Sequence, residues 1–291
     1  MNQLQEIKAT SSFDFCLLAL RYLQNFIKDA PIKNMDNFLS SLNEQGHALV
    51  KMQPNMANLK KKISMVIYVV KKAMKTRKTN AEIIEYSLQK LAEMLAVAAQ
   101  NKEKIAAAGS KLITSNARVV TIGNSALVSE ILITALNQKR KFEVYCLESA
   151  PTREGITLAE ALARKGISAC LYGDAAMGVI LSQATLVLSG AVRIYEEGFV
   201  NKIGTLPLAL TTRFLKLPFY LAAETDKILT EREYAIRFYK HDPAEIYIPR
   251  NKNLKVHNVY YESVPLSLLS KLITEDGIFD LTEFKNWYLK D

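Results

Sequence analysis

The chain has no glycine-rich dinucleotide fingerprint, no Walker-type phosphate loop and no pair of histidines at metal-ligand spacing. The short motifs that mark many nucleotide-binding enzymes and structural zinc sites are therefore missing. Its three histidines, His47, His241 and His257, are scattered outside the expected strand-end loops. Each reads as a surface or packing residue rather than a member of a catalytic triad. Cysteine is scarce and odd in number: Cys16, Cys146 and Cys170 stand in unrelated contexts. That argues against a disulfide framework and predicts free thiols in a reducing cytoplasm. No run approaches the roughly 18 uninterrupted apolar residues of a membrane span, and residues 1–10 lack the apolar centre of an export signal. The expectation is a cytoplasmic protein away from membranes, with no metal and no cofactor.

What is present is an ordinary globular composition, 49% hydrophobic and 23% charged over 291 residues, with room for two domains or one large one. The net charge of +9 is unevenly spread. Residues 1–110 hold 16 Lys and Arg against 9 Asp and Glu, a surplus of 7. The excess gathers at Lys60, Lys61, Lys62, Lys71, Lys72, Lys75, Arg77 and Lys78. Two readings stand: a solvated helix face, which is common, or a surface for an acidic partner or RNA phosphates. No aromatic residues interleave these lysines in the way that stacks single-stranded bases.

The first third has helical spacing. Phe13, Cys16, Leu17, Leu20, Leu23 and Ile27 recur at three and four residues, a stripe that Pro31 is expected to close. Met35, Phe38, Leu39 and Leu42 mark a weaker helix expected to end at Gly46. Leu59, Ile63, Val66, Ile67, Val70 and Met74 mark an amphipathic helix with its lysines on the other side. Thr79 with Glu82 is a capping box opening a further helix through Ile84, Leu88, Leu91 and Leu95 towards Gly109.

Past about residue 115 the period changes. Short β-branched runs at 119–122, 143–147, 169–172, 184–188, 218–222 and 258–261 alternate with helical spacing at 127–137, 154–165, 175–183 and 206–215. Alternating strand and helix predicts an α/β fold: a Rossmann-like, doubly wound, mostly parallel sheet with right-handed crossovers. The expected organisation is a helical domain over 1–112 and the α/β domain over 113–291. Residues 237–253, with Asp242-Pro243 and Pro249-Arg250, read as an excursion before the last strand.

Parallel strands present their carboxyl ends together, and ligands of such sheets sit there. Four loops are expected on that edge: 121–125, 148–151, 173–174 and the stretch 192–205. Gly123 and Gly204 permit close backbone approach, Asn124 lies between glycine and helix, and Ser125 and Thr205 offer hydroxyls at helix starts. Arg153 and Lys202 offer positive charge, with Asn201 beside the latter. Together they suit an anion such as a phosphate; the other and commoner reading of Asn201-Lys202 is the cap of a surface turn. Asp174 either orients a sugar hydroxyl or acts as a base, or is an ordinary helix N-cap.

Four motifs in order, T-x-G-x-S (121–125), E-S-A-P-x-x-x-G (148–155), G-I-S-A-C-L-Y-G-D-A-A (166–176) and G-A-V-R-I-Y-E-E-G-F-V-N-K-I-G-T (190–205), resemble the initiation factor 2B alpha/beta/delta family. Its relatives include methylthioribose-1-phosphate and ribose-1,5-bisphosphate isomerases. The ending Y-E-S-V-P (261–265) with L-I-T-E-D-G-I (272–278) is similar too. The resemblance implies a helical N-terminal domain, a Rossmann-like C-terminal domain, and homo-oligomers, dimers or higher, built through the latter.

The resemblance also implies where catalysis has gone. The isomerase branches carry a cysteine in the first loop and an aspartate in the G-A-D motif, and these positions are Gly123 and Val192 here. Neither can take and return a proton. The arginine of the family's E-x-R-P motif is Ala150. Thr121-Ile122-Gly123 and Ala150-Pro151 are closest to the regulatory beta subunit, whereas 201–205 keeps the form of the enzymes and the alpha subunit. The resulting expectation is a non-catalytic, regulatory subunit. It contacts translation initiation factor 2, through its alpha subunit, or a related factor, and binds a nucleoside monophosphate or sugar phosphate. The alternatives are a sugar-phosphate aldose-ketose isomerase using substitute groups such as Asp174 or Cys146, and an RNA-binding module using the lysines of 60–78.

Overall fold

The apolar stripe of the first segment folds as α1 (Ser12–Asp29), with Phe13, Cys16, Leu20, Leu23 and Ile27 all buried. The computed structural model describes residues 11–29, 34–229 and 241–288. Residues 1–10, Pro31 and the first four residues of the expected excursion lie outside that range.

Asn34 caps α2 (Met35–Met52) by accepting the backbone N–H groups of Asp36 and Asn37. This helix does not stop at Gly46 but runs two further turns. The reason is tertiary. A Cβ on Gly46 would meet Ile63 Cγ2 of α3 (Ala57–Thr76) at 2.7 Å, so the missing side chain lets two helices approach. Close packing outweighs the roughly 1 kcal/mol that glycine costs in a helix. The capping box at Thr79 forms as expected and opens α4 (Asn80–Ser110). Along α4, Leu91 belongs to the core of the helical bundle, whereas Ala98 and Ile105 belong to the core beneath the sheet.

Seven strands form that sheet: β1 (Ala117–Thr121), β2 (Phe142–Leu147), β3 (Ser168–Tyr172), β4 (Leu186–Gly190), β7 (Phe219–Ala222), β9 (Lys271–Thr274) and β10 (Gly277–Phe279). Their order is β3-β2-β1-β4-β7-β9-β10. All neighbours pair in parallel except β10, which runs antiparallel to β9. One face is covered by α4, α5 (Ala126–Asn137) and α6 (Glu154–Arg164), through Ile105, Ile131 and Leu162. The other is covered by α7 (Met177–Leu181), α8 (Thr205–Phe214) and α9 (Leu281–Tyr288), through Leu181, Leu208 and Phe284. The fold is therefore the doubly wound α/β sheet that the alternating pattern predicts, with helices ahead of it.

Three expectations change. The stretch 192–205 is not a loop. It is a hairpin, β5 (Arg193–Ile194) and β6 (Gly198–Lys202), to which β8 (Tyr261–Pro265) adds antiparallel. The strand expected at 258–261 begins only at Tyr261; ahead of it the chain is tied to 241–245, with Asn258 O accepting the His241 N–H at 3.3 Å and the Asn258 side-chain amide donating to Asp242 O at 2.7 Å and to Glu245 at 2.8 Å. The helix expected at 175–183 is a 3-10 turn, Asp174–Ala176, leading into the short α7. The small sheet packs on the large one through Phe199 against Phe219, edge to face. Arg193 Nε anchors the hairpin to the α2–α3 turn at Asn55 O, 3.0 Å away.

Candidate functional site

β1 and β4 lie side by side in the sheet. From β1 the chain turns into α5 on one face, and from β4 it turns into the hairpin on the other side. A crevice opens where neighbouring strands send their connections apart, at the carboxyl ends where α/β sheets bind ligands. Ile122, Gly123, Asn124 and Ser125 line it from β1, and Gly190, Ala191 and Val192 from β4. Asn201, Lys202 and Tyr261 line it from the small sheet, Glu154 from the start of α6, and Ser11, Ser12, Gln53 and Met56 from the helices. Its volume is about 50 Å³. A chamber of about 670 Å³ adjoins it, walled by Pro54, Asn55, Pro151, Thr152, His241, Glu245 and Tyr260 among others.

The first loop is held by the second. Gly123 has φ +78°, and its N–H donates to Ser149 Oγ at 2.7 Å. Ser149 itself has φ +63°, an uncommon conformation for a residue with a side chain. It is fixed from below by Asp174, whose two carboxylate oxygens accept the N–H groups of Ser149 (2.9 Å) and Ala150 (2.7 Å). Asp174 thus stands outside the crevice as a brace for its rim; it is the first residue of its short helix and not the N-cap, a position that Gly173 holds without a side-chain hydrogen bond. Arg153 also stands outside, 69% exposed and 3.8 Å from Glu148.

Lys202 ends β6 with its ammonium 2.8 Å from Glu154 Oε1. The same ammonium lies 4.6 Å from the Tyr261 ring centre and 5.1 Å from that of Tyr260. A cation over aromatic faces is stabilised without being hydrogen-bonded by them. Burial pushes the Tyr261 phenol up, with Lys202 pulling the other way, so it is a neutral hydroxyl. Asn201 faces inward, donating to Ser189 Oγ at 3.0 Å and Thr205 Oγ1 at 3.1 Å. Thr205 is fully buried and donates to Lys202 O at 2.6 Å. Gly204, at φ +96°, turns the chain into α8, and the N–H of Leu206 at that helix start is taken by Glu262.

Of the nine residues expected at the site, Gly123, Asn124, Ser125, Asn201 and Lys202 line one crevice, Gly204 and Thr205 sit behind it, and Arg153 and Asp174 are outside. Among the described residues no group of three or more His, Cys, Asp or Glu side chains is placed to hold a metal ion, and no described helix is long and apolar enough to cross a membrane.

A family model described as the initiation factor 2 subunit family matches residues 8–281. The chain belongs to the initiation factor 2 subunit family. Among its relatives is a translation initiation factor eIF-2B subunit 2-like protein of Pyrococcus furiosus, 35% identical over 190 residues. That alignment covers 64% of this chain and 66% of the relative, just under two thirds of its length. The ribose 1,5-bisphosphate isomerase of Methanocaldococcus jannaschii is 26% identical over 250 residues, covering 84% of this chain and 79% of the enzyme. The crystal structure of translation initiation factor eIF-2B from Pyrococcus horikoshii OT3 superposes with a TM-score of 0.76 at 26% identity, over 94% of this chain and 92% of that one. The initiation factor 2 subunit family thus places this chain beside both factor-like proteins and sugar-phosphate isomerases.

In this member of the initiation factor 2 subunit family, sequence reasoning misses the helical half of the crevice. Lys227 is buried behind it, donating to Ala191 O and Ser12 Oγ, each at 2.8 Å, and burial lowers its pKa. Lys62 reaches the same joint, hydrogen-bonded to Asp226 and 3.8 Å from Glu224. Burial opposes the Lys62 charge, but Asp226 and Glu224 together raise its pKa. Lys61 likewise turns inward, to Ile228 O at 2.9 Å. Of the eight basic residues noted on 60–78, those two are therefore part of the joint, while Lys60, Lys71, Lys72, Lys75, Arg77 and Lys78 are exposed. His241 packs, its ring stacked on Tyr260 with centres 3.5 Å apart, in the chamber wall. Glu154 carried one local signal, an acidic residue opening a helix beside a proposed ligand loop.

Proposed function

We propose that the protein is a non-catalytic member of its family, an initiation factor 2B-like regulatory subunit. It contacts translation initiation factor 2, through the alpha subunit or a related factor, and holds a phosphorylated small molecule in the crevice, a nucleoside monophosphate or sugar phosphate. The observation that carries this reading is the chemistry at Gly123 and Val192. Both line the crevice, and neither bears a group that exchanges protons. Gly123 also adopts a backbone conformation that residues with a Cβ rarely take, so a cysteine there would be strained. Val192 is 7% exposed and packs into the helical bundle core.

The substitutes weighed from sequence do not fill the gap. Cys146 is buried in the core on the α5 side of the sheet, its thiol pushed up to about 12 by burial. Asp174 has both oxygens committed to backbone N–H groups away from the crevice. The adjoining chamber has the volume of an ordinary small-ligand site.

In this reading residues 113–291 supply most of the ligand site and mediate self-association, while 1–112 add Ser11, Ser12, Gln53 and Met56 to its wall and present the exposed lysines to the protein partner. Support for self-association comes from apolar side chains left in solvent near the β3 edge and on α7 and α8: Leu171, Val179, Leu210 and Phe214, the last 83% exposed. The deciding experiment is turnover of ribose-1,5-bisphosphate and methylthioribose-1-phosphate by purified protein, beside a Lys202→Ala control. The expected result is no turnover above the control. Turnover at enzyme-like rates, lost in the control, would sink the non-catalytic reading in favour of an isomerase.

A further inference from the structure

The crevice of about 50 Å³ and the chamber of about 670 Å³ share four lining residues, Gln53, Glu154, Lys202 and Tyr261. These four are therefore the wall between the two spaces. Within that wall Lys202 and Glu154 form an ion pair of 2.8 Å, with side chains only 10% and 20% exposed. At about 50 Å³ the crevice is the smaller space, and the ion pair stands between it and the chamber.

We propose that Glu154 is an internal competitor for the anion seat on Lys202 and thereby sets which ligands the site accepts. This rests on the ligand-binding reading above. The Glu154 carboxylate compensates the buried ammonium, which would otherwise face two tyrosine rings that offer it no full charge. An anion that takes the place of that carboxylate on Lys202 also joins the crevice to the chamber.

The exchange selects by charge. A carboxylate ligand replaces one carboxylate with another and gains nothing at Lys202. A phosphomonoester brings a charge of about −1.5 to −2 and three acceptor oxygens, so it wins the exchange. Glu154 is then a specificity-determining residue for dianionic phosphomonoesters. Binding weakens as the phosphate takes up its second proton, at pH about 6. The expelled carboxylate opens α6, where the helix dipole holds it in a second stable position near its own N-terminal N–H groups.

The test is calorimetric titration of the full-length protein with ribose 5-phosphate, and with gluconate as a sugar carboxylate of one negative charge. Wild type is compared with Glu154→Gln, Glu154→Ala and Lys202→Met, each first shown by circular dichroism to be folded. The expected result is ribose 5-phosphate binding about tenfold or more tighter in Glu154→Gln than in wild type. Gluconate should bind measurably only when Glu154 is gone, and Lys202→Met should bind neither. If Glu154→Gln does not fold, Glu154→Ala carries the same comparison. Wild-type binding that is unchanged or weakened in both Glu154 variants overturns the competitor role while leaving the ligand-binding reading intact. Absence of binding in wild type and both Glu154 variants overturns the ligand-binding reading itself.

Discussion

The backbone N–H of Leu206 donates 2.9 Å to Glu262 Oε1, so a carboxylate from β8 caps the helix that begins at Thr205. The anion at this helix start is the protein's own. Replacing Glu262 with Ala removes the acceptor and a charge placed favourably on the helix dipole, at a cost of about 1–2 kcal/mol. Urea denaturation should show that loss. A variant with the wild-type midpoint would mean that solvent caps α8 equally well.

Asp174 is a structural brace on this geometry. Asp174→Ala leaves the N–H groups of Ser149 and Ala150 without their acceptor and loosens the Ser149 hydroxyl that receives Gly123. The expected destabilisation is about 1–3 kcal/mol, read as a lower thermal midpoint. Weaker binding of ribose 5-phosphate should accompany it, because the first loop loses its support. Unchanged stability would remove Asp174 from this role.

Glu224 gives the fold a pH dependence. Burial, then the like charge of Asp226, pushes its carboxyl up to about 7, against the opposing pull of Lys62 and Lys227; Glu275 adds to the rise. Cys16 faces the same cluster, with its own thiol raised by burial to about 12. The unfolded chain releases the Glu224 proton near its ordinary value of 4.5. Between that pH and about 7 the folded state binds more protons than the unfolded one, so the stability contributed by this group falls as pH rises through the window. Glu224→Gln, which cannot ionise, should therefore gain on wild type between pH about 5 and pH about 8 in paired urea titrations. Two curves that stay parallel would deny the shift.

The three thiols should separate by burial. Cys16 and Cys146 are buried, while Cys170 on the edge strand is partly exposed. The thiolate is the reactive form, and burial disfavours it at the first two positions. Native protein should yield one thiol to Ellman's reagent and three in denaturant. Rapid modification of Cys146 in native protein would revive it as a reactive group.

The parallel strands were legible because strands covered on both faces are nearly unbroken apolar runs, as in Val119, Val120 and Val187, Leu188. β6 was not legible, because two of its five buried residues are Asn201 and Lys202. Their partners, Ser189, Thr205 and Glu154, are distant or on other elements, and no local pattern reveals that a polar residue will find such a partner. Gly46 misled for a related reason, since its use is a contact with Ile63 rather than a break. The loops after β1 and β4 could be read from strand ends and glycines alone. The share of the crevice owed to Ser11, Ser12, Gln53 and Met56 could not, because helix docking depends on whole faces rather than on motifs.

The 31-residue α4 is about 47 Å of uninterrupted helix, one end in the bundle and the other under β9 and β10. Because one continuous helix packs in both cores, the bundle and the sheet are tied by a single stiff element, and neither can slide past the other along it without breaking its backbone hydrogen bonds.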